Sequence, residues 1–132
     1  MSTFRTAVER RDLAAIRELL ADDVRFISPV AFKPYDGKAI TIAILSNVIE
    51  VFQNFRYVNE IGTTHDADHA LVFEAEVNGK TLTGCDFLHY NEDGKIDQFM
   101  VMVRPLNGAT ELANEMAARF DQIVAQATAE MS

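Results

Sequence analysis

Apolar residues recur every three or four positions before Phe55 and after Pro105, and alternate with polar ones between those points. The first pattern predicts helices and the second strands. Phe4 and Val8, then Leu13, Ile16, Leu19 and Leu20, fall at helical spacing, and Asp12 is placed to cap a second helix after a break near Arg10-Arg11. The segment thus reads as two short helices or one kinked helix. Ala21-Asp22-Asp23 ends it, and Val24 to Ser28 form a short strand stopped by Pro29. After a loop holding Pro34 and Gly37, residues 38 to 53 carry Ile40, Ile44, Val48 and Phe52 on one stripe and predict a third helix.

Four strands follow, at roughly 56 to 64, 69 to 77, 80 to 90 and 95 to 104, as an antiparallel meander. Asn78-Gly79 supplies one tight turn and Asn91-Glu92-Asp93-Gly94 another. Leu112, Met116, Phe120, Ile123 or Val124, and Ala127 mark an amphipathic terminal helix, so residues 107–131 read as a helical extension of one domain spanning 1–132. Asn107-Gly108 would let it swing away, and packing on a second subunit is slightly preferred over capping. Helices followed by a curling antiparallel sheet give an α+β fold in which the helices close one face and leave an apolar cone. The last strand is apolar on both faces, with Phe99, Val101 and Val103 on one and Met100 and Met102 on the other. One face can line the cone while the other meets a partner subunit.

Composition narrows the partners. The chain has 132 residues, is 48% hydrophobic and 24% charged, and carries a formal net charge of −8. Such a chain buries roughly two thirds of its unfolded surface, which suffices for a core. The acidic balance argues against nucleic acid and anionic membrane surfaces. With one cysteine, Cys85, there is no internal disulfide. No apolar run reaches membrane-spanning length, and the N-terminal residues lead into a charged amphipathic segment, so the default expectation is a cytoplasmic protein.

Within the strand Thr81 to Tyr90, Asp86 is the lone carboxylate. An unpaired ionised carboxylate costs several kcal/mol to bury, so it must find donors, take up a proton or line a cavity that uses it. The competing reading is a register slip that turns it outward beside Thr83 and His89. His89 lies three residues on and therefore on the opposite face, which argues against an Asp86–His89 dyad. Cys85 reads as an inert core thiol. His65-Asp66-Ala67-Asp68-His69 invites a metal reading, but it falls at a hairpin tip with the composition of a polar turn, and no metal is assigned.

Asp12-Leu13, Leu20-Ala21-Asp22-Asp23, Pro29-Val30, Pro34, Gly37-Lys38-Ala39-Ile40, and Asp86 followed by Asn91 and Gly94-Lys95 together resemble the NTF2-like superfamily, in its SnoaL-like and ketosteroid isomerase-like branch. The resemblance runs from about Phe4 to Pro105. It implies a cone-shaped α+β barrel, a homodimer packed through the sheet and a hydrophobic pocket; no cofactor is expected. Ketosteroid isomerases use an aspartate base on the first strand, and a tyrosine of the first helix with a protonated aspartate on a later strand as oxyanion donors; that protonated aspartate is a known example of a carboxyl kept neutral by an apolar site. By local spacing the later aspartate falls on Asp86, the base on Ser28 and the tyrosine on Phe4. Serine without an adjacent base does not abstract a carbon-bound proton, and phenylalanine donates no hydrogen bond, so that familiar chemistry is not expected.

Three readings remain open. The first is a pocket for a small hydrophobic carbonyl or ring compound, with Asp86 as hydrogen-bond donor or acid and Phe4, Phe26, Ser28, Phe32, Tyr35, Ile44, Phe99, Val101 and Val103 around it, in a divergent isomerase, cyclase or lyase. The second is the same pocket without turnover. The third is a dimerisation or docking module whose cone is filled by Phe4, Phe26, Phe87 and Phe99.

Overall fold

The computed structural model describes residues 3–131. Helices α1 (Thr3–Glu9) and α2 (Leu13–Leu19) are followed by strand β1 (Leu20–Ile27), a two-residue strand β2 (Tyr35–Asp36) and helix α3 (Lys38–Val51). Strands β3 (Gln53–Ile61), β4 (Asp68–Val77), β5 (Lys80–Tyr90) and β6 (Ile96–Arg104) come next, and helices α4 (Leu106–Ala118) and α5 (Phe120–Met131) complete the chain. Arg11 takes a left-handed turn at φ 53° that separates the first two helices, and Asp12 then caps α2 by accepting from the Ala15 amide at 3.1 Å.

The six strands form one curved, unclosed sheet in the order β2-β1-β6-β5-β4-β3. Helix α3 carries the chain from β1 to the far edge at β3, and three hairpins then walk back until β6 lies beside β1. The β1–β6 pair is therefore parallel and every other pair antiparallel, so the sheet is mixed where the sequence suggested an antiparallel one. The four-strand meander itself stands where the alternation placed it. Its Asn78-Gly79 turn holds both residues at positive φ, 50° and 80°, as a tight hairpin of this twist requires.

Period-two alternation decides which face is buried. Leu71, Phe73, Ala75 and Val77 of β4 and Leu82 and Leu88 of β5 point inward and are almost fully buried; α4 packs on β4, β5 and β6, and Ile44 and Leu45 of α3 belong to the same core. Gly84 lies opposite Phe73 in the β4–β5 ladder, and a Cβ there would stand 2.2 Å from the Phe73 ring. The missing side chain is the space the ring occupies.

The terminal segment differs from its expectation in two ways. It is two helices, broken at Arg119, and it folds back on its own chain instead of swinging away to another subunit. Gly108 explains the second difference: a Cβ there would meet Leu82 at 2.9 Å and the Thr81 carbonyl at 3.1 Å, so the start of α4 sits hard against β5. At the other end, buried Asn47 of α3 donates to the Gln126 side chain at 2.7 Å and accepts from Gln122 at 2.8 Å and Arg119 at 3.2 Å. Arg119 also pairs with Glu50 at 2.7 Å. These bonds fix α5 along α3 and leave the Leu112, Met116 and Ile123 stripe facing the cone.

Candidate functional site

The cone is not filled. It holds a cavity of about 950 Å³ that opens to solvent, at the upper end of the range for small-molecule sites. Phe4 of α1, Phe26 of β1 and Phe99 of β6 form one wall, with ring centroids 5.4 Å apart in both the Phe4–Phe99 and Phe26–Phe99 pairs. Phe52 and Phe55 stack, and Phe73 packs tilted on both, as a second aromatic wall; Leu112, Met116, Phe120 and Ile123 close the end. Phe87, which the filled-cone reading needed inside, points out of the opposite face.

Asp86 sits on the inner face of β5 between Leu71 of β4 and Val101 of β6, and only 7% of it is exposed. Its register is the inward one. The Tyr57 hydroxyl donates to its Oδ2 at 2.9 Å. Burial raises the Asp86 carboxyl to about 7, with the Tyr57 hydrogen bond acting in the opposite direction. Burial, and then the negative charge of Asp86, raise the Tyr57 phenol well above its ordinary range, so Tyr57 is a fixed donor and Asp86 the group that exchanges a proton near neutrality. Tyr57 is held edge-on by Phe55 at 5.0 Å and Phe73 at 6.4 Å, while the Arg5 guanidinium lies 5.8 Å from its ring centre.

Of the residues read from sequence, Phe4, Phe26, Ser28, Tyr35, Ile44, Phe99 and Val101 line the same cavity as Asp86. Phe32 does not: it is 98% exposed, because the loop after β1 is turned by Ser28 Oγ accepting from the Val30 and Ala31 amides, and Phe32 projects into solvent beyond that turn. Val103 does not line it either. It pairs with Gly84 and packs on the core outside the cavity. Cys85 is on the outer face, half-buried between Val72 and Met102, and so is no core thiol; burial raises its pKa. His89 is also on the outer face, with Nδ1 2.6 Å from the Asp97 carboxylate. In the hairpin after β3, Asp66 accepts from the Thr63 amide and hydroxyl, and the His69 ring packs at a tilt against Tyr90.

Tyr57 is the site residue that sequence reasoning missed. The signal was present in Phe55-Arg56-Tyr57: alternation puts Tyr57 on the Phe55 side, and a tyrosine buried there needs a partner for its hydroxyl.

Comparison with known proteins agrees with this architecture. Among solved structures the chain is similar to a steroid delta-isomerase from Pseudomonas aeruginosa, with 36% identity, a TM-score of 0.85, and 92% of this chain and 89% of that chain covered. It is also similar to an uncharacterized protein with a cystatin-like fold from Silicibacter pomeroyi, with 35% identity, a TM-score of 0.83, and 89% and 82% covered. An NTF2-like protein of unknown function from Mesorhizobium loti shares the fold at 16% identity, with a TM-score of 0.67 and 77% and 85% covered. No curated protein matches the chain at a significant level. Residues 2–99 match the SnoaL-like domain, and with this cone-shaped α+β fold around them the chain belongs to the SnoaL-like family of the NTF2-like superfamily.

Proposed function

We propose that the cavity binds a small hydrophobic carbonyl or ring compound and that Asp86, backed by Tyr57, moves a proton on it, as a divergent isomerase, cyclase or lyase would. The observation that carries this reading is one buried carboxyl, raised to about 7 and lining a largely apolar cavity, with a second titratable group 2.9 Å away. A carboxyl with that affinity for protons is matched to general acid or base work at neutral pH. The similar Pseudomonas aeruginosa protein is described as a steroid delta-isomerase, which makes a steroid ketone the first compound to try.

The test is deuterium exchange. Wild-type protein incubated with androst-4-en-3-one in heavy water should speed label incorporation at carbons adjacent to the enone, and Asp86→Asn should abolish the acceleration. Binding without exchange at pH 6 to 8 would overturn the catalytic reading. It would support the second reading, a binding protein without turnover, which is favoured by Ser28 and Phe4 standing where ketosteroid isomerases carry a base and a tyrosine.

We further propose a homodimer through the outer sheet face. Ile27, Met100, Phe87 and Ala70 lie in one row across four strands, and Met102, Cys85 and Val72 in the next, with Met102 54% exposed. A contiguous apolar surface of this kind marks an interface. Sedimentation should give a dimer for wild type and a monomer for Met102→Glu; a monomeric wild type would sink the proposal.

A further inference from the structure

Apart from the Asp86–Tyr57 pair, the cavity is lined by a polar side chain, Ser28, whose hydrogen-bonding capacity is restricted to one direction. A serine hydroxyl offers one proton and two lone pairs. Ser28 Oγ already accepts from the Val30 amide at 3.1 Å and the Ala31 amide at 3.2 Å, so both lone pairs are engaged. What remains is the proton. No acceptor for it is present among the described residues, and Ser28 lines the cavity beside Phe26 and Pro29.

Strand register places this donor relative to Asp86. Phe26 pairs with Phe99 and Ile27 with Met100 at the end of the parallel β1–β6 ladder, and Ser28 and Val101 are the next residues of the two chains, both lining the cavity. Val101 is the residue that pairs with Asp86 on the next strand. Continued by one residue past the end of the ladder, this register sets Ser28 and Asp86 on either side of Val101, two strand spacings or about 10 Å apart. A molecule lying on Val101 is within reach of both.

We infer that Ser28 is a second binding residue of this cavity, donating its hydroxyl proton to an oxygen acceptor on the occupant across Val101 from Asp86, so that the occupant carries two polar groups on an apolar frame. This rests on the reading of the cavity as a site for a carbonyl compound, and adds to it that a second oxygen strengthens binding. Compounds with two carbonyls, or a carbonyl and an ether or hydroxyl oxygen, fit this arrangement better than simple ketones.

The test compares two probes of nearly equal shape, 1,4-diacetylbenzene and 4-ethylacetophenone, by calorimetric titration at pH 7.5. One neutral hydrogen bond is worth about three- to tenfold in affinity, and wild type should prefer the diketone by that factor. The preference should vanish in Ser28→Ala. It should also vanish in Ser28→Asp, whose carboxylate still accepts from both amides but has no proton to give, and survive in Ser28→Thr. In the wild type itself, magnetisation transfer from one acetyl methyl of the bound diketone to the Ser28 β-protons gives a readout that needs no variant. A preference that persists in both Ser28→Ala and Ser28→Asp overturns the inference, as does a wild type that binds the two probes equally. Failure of wild type to bind either probe overturns the cavity reading itself, and this inference with it.

Discussion

Strand β5 carries two carboxylate-centred pairs on its two faces, and they are held by opposite physics. On the inner face Asp86 is buried, and its partner is a neutral phenol that hydrogen-bonds to the carboxylate without cancelling its charge. On the outer face His89 is half exposed, and its partner is Asp97, a full opposite charge in contact with water. Burial raises the affinity of Asp86 for a proton by penalising the anion; the Asp97 hydrogen bond raises that of His89 by favouring the cation. Both groups thus bind protons more tightly in the folded state, for unrelated reasons. Burial without a countercharge makes a reactive group, whereas exposure with one makes a surface ion pair.

The inner pair is where substitution has the largest effect. Asp86 has a folded pKa of about 7 against an ordinary 3.8, so the folded state binds the extra proton more tightly. Its contribution to stability is complete below about pH 4 and is lost as pH rises through about 7. Three pK units correspond to a penalty on the order of 4 kcal/mol at pH 8. Asp86→Asn removes the titration while keeping the shape, so the variant should gain stability over wild type at pH 8 by a few kcal/mol and match it near pH 4. Urea unfolding of both proteins at the two pH values measures this. Equal differences at both would mean that Asp86 is solvated.

Gly84→Ala reaches the same site through packing. The added methyl would overlap the Phe73 ring, which supports Tyr57, which in turn holds Asp86. Overpacking of this kind costs about 1–3 kcal/mol, and the Asp86 titration should shift with it. Thr83→Ala, one residue away on the outer face, should change stability by less than about 0.5 kcal/mol. Thermal unfolding of the two variants side by side separates the faces directly.

This asymmetry also accounts for how much was legible in the sequence. Alternation gave β3 to β6 to within a few residues, because a sheet with one buried face writes its period into the chain. It also put Asp86 and His89 on opposite faces, though a one-residue slip left open which of them faced inward. The parallel β1–β6 pair was not legible, since it depends on where α3 delivers the chain and not on any residue in either strand. Nor was the fold-back of α4 and α5: Asn107-Gly108 reads as a loose joint, yet Gly108 sits tight against Leu82 and Thr81, and the Asn47 network joins residues about 75 positions apart. Tyr57 was missed because its partner lies two strands away. Phe32 and Tyr35 were read together as loop aromatics over the pocket mouth; Tyr35 lines the cavity, whereas Phe32 projects into solvent, because position in a loop does not fix which way a side chain turns.

Tyr57→Phe tests the inner pair more gently. It removes the donor that opposes the raised pKa of Asp86 and leaves the ring packing in place. Stability at pH 5 should fall by about 1 kcal/mol, the value of one neutral hydrogen bond. The Asp86 midpoint should move upward from about 7, because the carboxylate has lost the bond that favoured it. Carbon-13 shifts of the Asp86 carboxyl followed across pH 4 to 10 read the midpoint, and a downward move would contradict the assigned geometry.

The outer pair provides the smallest effect and the sharpest contrast. The folded His89 pKa is raised above 6.5, so its contribution is fully present below about pH 6.5 and is lost as pH rises through the folded value. With both side chains about one third or more exposed, the pair is screened and contributes about 0.5 kcal/mol or less. Asp97→Asn should therefore lower stability slightly at pH 6, leave it unchanged at pH 9, and lose even the pH 6 effect in 1 M salt. Salt should not erase the Asp86→Asn difference, since desolvation of a buried anion is not a matter of ionic screening. If salt removed both differences alike, the two faces of β5 would be electrostatically equivalent, and Asp86 would not be the dehydrated acid on which the proposed chemistry depends.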